Sequence, residues 1–166
     1  YTIGLVKLSG LSEILEILQY AVQSGARAAL NIAIVEVCCS EYSSIRKACE
    51  YSRIPYVGIT ARMQAKSTFS RVRTCVQQWE RSALWVHVHA STPCSSGSPL
   101  RNFGSKDVVT ASEQEWPEII SSVGDYLSLG HSSSFELPQV NAIWSRPETK
   151  DVLSQNGLVH ESLVRL

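Results

Sequence analysis

The segment Leu30–Ser40, LNIAIVEVCCS, decides how the chain reads. Asn31 to Val37 is short, rich in β-branched residues and almost continuously apolar. A strand with one wet face alternates apolar and polar residues. A run without alternation implies burial on both faces, as in a parallel sheet covered by helices. Upstream, Leu11 to Ala29 carries Leu11, Ile14, Leu15, Ile17, Leu18, Ala21 and Val22 at helical spacing, with Ser9 or Ser12 as a cap and Gly25 near the end. Downstream, Ser43 to Tyr51 reads as helix and Ile54 to Ile59 as a second strand, with Pro55 at its start, where a missing N–H is tolerated.

The alternation continues. Ser67 to Arg81 reads as helix and Ala83 to His89, ALWVHVH, as a third strand. Pro93 to Lys106 is a loop rich in Ser, Gly and Pro. Ser112 to Leu129 is a long helix with Ser112 as N-cap and Glu113 and Glu115 in its first turn. His131 to Ser134, HSSS, reads as a linker, and Phe135 to Trp144 contains a fourth strand. Ser145 caps a short helix with Pro147 in its first turn, and Leu158 to Leu166 is a final strand or an extended tail. Strand–helix alternation predicts parallel strands joined by crossovers, hence a single α/β domain over 1–166: a three-layer Rossmann-like fold with a mostly parallel central sheet. In such folds ligands bind outside the carboxyl ends of the strands, which singles out the loops Glu36–Ser44 and Ala90–Lys106.

Bulk properties bound the function. Lys+Arg and Asp+Glu both number 15, so net charge makes no global case for nucleic acid, and only the local strip Lys66, Arg71, Arg73 and Arg81 could track phosphates. The bland reading of that strip is the solvated face of a helix. No apolar run has transmembrane length, and no signal peptide is expected. The chain opens on Tyr1, as expected of a fragment or processed product. Five cysteines, two of them adjacent at Cys38-Cys39, read as reduced thiols of an intracellular protein; the sequence leaves the oligomeric state open.

AIVEVCCSEYSS, IPYVGIT and ALWVHVHASTPCSSGSP together resemble the frame of Rossmann-like S-adenosylmethionine-dependent methyltransferases. That frame is a strand ending in an acid and a tight loop, a second strand, and a strand ending in a Pro-containing catalytic loop. The resemblance implies a cofactor site at Glu36, Cys38, Cys39, Ser40, Thr60, Thr92 and Pro93. Pro93-Cys94-Ser95-Ser96-Gly97-Ser98 is similar to the Pro-Cys loop of DNA cytosine methyltransferases. It implies Cys94 as a nucleophile that adds to a pyrimidine ring and Glu136 as the acid that activates the base. The same pattern resembles methyltransferase-like domains of protist retroelement and viral polyproteins. The first loop, Cys38-Cys39-Ser40-Glu41-Tyr42, has no glycine, and Thr60 stands where that family carries an acid for the ribose. A second reading is therefore a catalytically inactive binding or assembly module that keeps the fold.

Other chemistries have less to stand on. His87 and His89 share one strand face and, with Cys94, suggest zinc, but the spacing is that of no standard zinc module. Ser95–Leu100 resembles a chymotrypsin-like nucleophile loop with Ser96 attacking, but the helical content opposes the barrel such a triad needs. Trp79, Trp85, Trp116 and Trp144 are expected as core or interface anchors.

Overall fold

The computed structural model describes residues 31–38, 43–59, 65–91, 106–136 and 142–158, with side chains excepted over 106–114. In chain order the elements are β1 (Ile32–Val37), α1 (Ser44–Ser52), β2 (Tyr56–Ile59), α2 (Lys66–Arg81), β3 (Trp85–Ser91), α3 (Lys106–Leu127), β4 (Ser132–Glu136), a 3₁₀ turn (Ala142–Ser145) and α4 (Pro147–Gln155). The strands form one sheet in the order β2-β1-β3-β4, and every pairing is parallel. The chain steps outward from β1 to β2 and then returns past β1 to β3, so the winding reverses between β1 and β3. The expected α/β class with a parallel sheet and helices on both faces is what the chain adopts.

Register divides the sheet into two chemically different faces. Ala33 pairs with Val86, Val35 with Val88 and Val37 with Ala90, so these side chains share a face. They form the main core with Val72 and Val76 of α2 and with Trp116, Ile120, Val123, Tyr126 and Leu127 of α3. Burial on both faces explains the almost unbroken apolar run of β1: Ile32 and Ile34 meet a second apolar layer. On that opposite face Ile34 packs with Ile45, Cys49 and Ile54, so α1 covers the β1–β2 half. α4 docks on α3, where Trp116 Nε1 donates to the buried Thr149 Oγ1 at 3.1 Å.

Local chemistry sets the helix ends. Ser43 caps α1, its Oγ accepting from Arg46 N at 3.2 Å, and Arg53 closes the helix in the left-handed conformation, its N–H donating to Glu50 O. Pro147 opens α4, where its missing donor costs nothing.

Three expectations need correction. α3 begins at Lys106, so Ser112 lies inside the helix rather than capping it. His131–Ser134 is no linker: Ser132–Ser134 is the start of β4, whose last residues, Phe135 and Glu136, lie in the segment expected to contain the fourth strand, while Trp144 belongs to the 3₁₀ turn. Polar serines enter the strand because their hydroxyls bond histidines of β3, a tertiary gain that outweighs their weak strand propensity. The residue before α4 is Arg146, without a side-chain cap bond, while Ser145 Oγ donates to Ala142 O at 2.7 Å within the 3₁₀ turn. The helix expected over Leu11–Ala29 and the element expected beyond Leu158 lie outside the described residues.

Candidate functional site at the carboxyl edge of the sheet

Parallel pairing places the ends of the strands on one rim. Val37 pairs with both Ile59 and Ala90, and Ser91 with Glu136. The segments leaving β1 and β3, which carry Cys39 and Cys94, therefore start from adjacent strands at the same edge, at the point where the winding reverses. That is where open α/β sheets bind ligands. Of the residues expected there, Glu36, Cys38 and Glu136 are described; Cys39, Ser40, Thr60, Thr92, Pro93 and Cys94 lie outside the described residues.

Glu36 is buried on the face covered by α1, although it is a carboxylate. Ser43 Oγ and Tyr56 OH both donate to its Oε2, at 2.6 and 2.7 Å. These short contacts are the length of charge-assisted hydrogen bonds and offset the cost of taking the carboxylate out of water. Ser43 thus serves twice, tying the start of α1 to the end of β1. Beneath it, burial pushes the Cys49 thiol up to about 12, with the charges of Glu36 and Glu50 adding to the effect. Cys49 is an inert packing thiol, unlike a reactive one held in an electropositive site.

Cys38 follows β1 directly, with φ 62°, in the left-handed region. A side chain with a Cβ pays about 1 kcal/mol or more to sit there, and glycine would not. The backbone therefore turns off β1 as a glycine-rich loop does, without the glycine. The three described cysteines, Cys38, Cys49 and Cys75, are in the reduced thiol form.

On β3, His87 and His89 are 1% and 2% exposed. Burial pushes the His87 ring down to about 4, helped by its neighbour His89, and burial alone takes His89 to about 4. Both are neutral at physiological pH. Ser134 Oγ lies between them, 2.9 Å from His87 Nε2 and 2.8 Å from His89 Nδ1. His89 also pairs across the sheet with Glu36, and its Nε2 lies 3.7 Å from Glu136 Oε2, whose side chain is half exposed at the end of β4. So Glu36, His89 and Glu136 occupy neighbouring strands on one face of the same rim. Sequence reading found the two acids but weighed a chemical role for the histidines only as zinc ligands. The signal was the i, i+2 spacing of His87 and His89 opposite Ser132 and Ser134, which shows only once β4 is recognised.

Among the described residues no cluster of His, Cys, Asp and Glu is arranged to hold a metal ion, so the zinc reading gains nothing. Lys66, Arg71, Arg73 and Arg81 are exposed on α2, the solvated face anticipated for them. Trp116 is fully buried, whereas Trp85 is 36% exposed and stacks on His131 with ring centroids 4.8 Å apart. No described helix is long and apolar enough to cross a membrane. Comparison with protein-family models, with curated proteins and with solved structures finds no match.

Proposed function

We propose that the chain is a methyltransferase-type α/β domain that takes S-adenosylmethionine in the crevice between the carboxyl ends of β1 and β3. Its target would be a nucleobase, with Cys94 as nucleophile and Glu136 as acid. The supporting observation is the shared rim: Glu36 and Cys38 end one strand, Ser91 the next and Glu136 the third, at the reversal of winding. The donor set suits a ribose or amino group. Both protein hydroxyls sit on Glu36 Oε2, which leaves Oε1 as the oxygen a ligand donor would reach.

When bound, the cofactor would supply an electrophilic methyl group. The chain's own groups would do the rest: Cys94 would activate the base as a thiolate, and Glu136 would hold a proton toward the ring. Nucleic acid would lie along the start of α2, since a helix that follows β2 begins at the carboxyl edge and Lys66, Arg71 and Arg73 are exposed there.

A binding or assembly module that keeps the fold and has lost the cofactor is the second reading. Residue 38 favours it, because a side chain stands where a glycine would let backbone approach the ligand. Titration calorimetry of the full chain with S-adenosylmethionine separates the two. The first reading expects saturable binding that Glu36→Gln weakens about tenfold, or 1.4 kcal/mol. A folded protein that releases no heat sinks it in favour of the second.

A further inference from the structure

A continuous row of polar side chains crosses the buried face of the sheet from its amino edge to its carboxyl edge. Trp85 Nε1 donates to Ser132 Oγ at 3.0 Å. Ser132 Oγ lies 2.9 Å from His87 Nδ1. Ser134 Oγ then bridges His87 Nε2 and His89 Nδ1, and His89 Nε2 faces Glu136 Oε2 at 3.7 Å.

The direction of this row follows from its carboxylate end. An indole N–H can only donate, and a carboxylate can only accept. Ser134 has one proton and stands between two ring nitrogens, so it donates to one and accepts from the other. In one polarity, Ser132 gives its proton to His87 Nδ1, His87 Nε2–H donates to Ser134, and Ser134 donates to His89 Nδ1. His89 is then left with Nε2–H pointing at Glu136. In the opposite polarity, Trp85 and His87 would both donate to Ser132, and the His89 Nε2 lone pair would face a carboxylate. Ser132 Oγ can accept from Trp85 in either polarity, so the carboxylate decides: only the first polarity presents Glu136 with a donor.

We infer that Trp85, Ser132, His87, Ser134 and His89 form one polarised hydrogen-bond chain whose output, the His89 Nε2–H, positions the Glu136 carboxylate at the carboxyl edge. The use of that carboxylate rests on the reading of the edge as the ligand site; the chain itself does not. All these side chains other than Glu136 are positioning residues. The last gap, 3.7 Å, is longer than a hydrogen bond, and a movement of less than an ångström closes it. Catalytic contacts are often this loose before ligand arrives.

Ring ¹⁵N correlation spectra of the full chain near neutral pH test the polarity. Both His87 and His89 are expected as the Nε2–H tautomer; a His89 protonated at Nδ1 overturns the inference without any variant. Glu136 side-chain couplings and relaxation test the positioning. One rotamer is expected in the parent chain, averaging among rotamers in Ser134→Ala, and return of the single rotamer in Ser134→Thr, which keeps a hydroxyl. A Glu136 rotamer indifferent to Ser134→Ala overturns the positioning role. Titration with S-adenosylmethionine reads the other question: no binding, with the tautomers as expected, removes the cofactor and leaves the chain of hydrogen bonds standing.

Discussion

Acidifying the solution should dismantle this protein through its two buried imidazoles. Folded, the His87 and His89 rings bind a proton only near pH 4; unfolded, each returns to about 6.5. Above pH 6.5 neither state is protonated and the full stability is present. As pH falls from 6.5 toward 4, the unfolded chain takes up protons that the folded chain refuses, so the equilibrium moves toward unfolding. The difference is worth about 3 kcal/mol per ring, and near pH 5 the two together give a slope of roughly 2.4 kcal/mol per pH unit. Against a usual domain stability of about 5–15 kcal/mol, that is a large part of the whole. Urea unfolding followed by tryptophan fluorescence, repeated in half-unit steps from pH 7.5 to 4.5, measures the slope. Ring proton shifts followed over the same range assign it. Rings that titrate near 6.5 in the folded protein, or a midpoint that moves by less than about 1 kcal/mol between pH 6.5 and 5, would refute the argument from burial.

Three substitutions probe the surrounding structure. Tyr56→Phe removes one of the two hydroxyls on Glu36 and should cost about 2 kcal/mol in urea unfolding; Ser43→Ala should cost about 1 kcal/mol more, because it also uncaps α1. Gly130→Ala would bring a Cβ within 2.7 Å of Ser132 O and 2.8 Å of Val88 Cγ2, backbone on one side and packed core on the other, so a loss of about 1–3 kcal/mol is expected, and a neutral result would mean that β4 is not held where described. In the native protein at pH 8, Cys49 should resist alkylation far longer than Cys38, since its thiol is driven to about 12; mass spectrometry of iodoacetamide-treated protein reads this, and Cys49 labelling as early as Cys38 would contradict its burial.

What the sequence disclosed followed from burial. Asn31–Val37 and Ala83–His89 sit in the middle of the sheet, where both faces must be apolar or satisfied, so composition alone marks them as parallel strands. The strand–helix order then implied the shared rim, and with it the neighbourhood of Glu36 and Glu136. What it concealed followed from pairing. Ser132-Ser133-Ser134 has the composition of a linker and becomes a strand only because His131 and β3 receive it. Val86 N donates to His131 Nδ1 at 3.1 Å, His131 N donates to Val86 O at 2.9 Å, and the serine hydroxyls then meet the two histidines. A contact between residues some 45 positions apart leaves no mark in any local window. The same holds for Glu36, whose partners Ser43 and Tyr56 each look unremarkable alone.

In the middle of this sheet both faces are buried, yet one is built of valine and alanine and the other carries two histidines, Ser134 and the Glu36 carboxylate along the same strands. Stability does not ask for the second arrangement. Apolar residues of similar volume would fill the space at less cost, because every buried polar group must find a partner and leaving one unmatched costs about 1–3 kcal/mol. The polar groups are also unevenly placed. They begin at Trp85 and Ser132, at the amino edge, and run by hydrogen bonds to His89, which faces Glu136 across 3.7 Å at the edge where α/β sheets receive ligands. A purely structural network would have no reason to end on a half-exposed carboxylate beside the reversal of winding. The direction of the hydrogen bonds, set by the acceptor-only carboxylate that His89 faces, gives the row an output, and that output faces the rim from which the Cys39 and Cys94 segments depart.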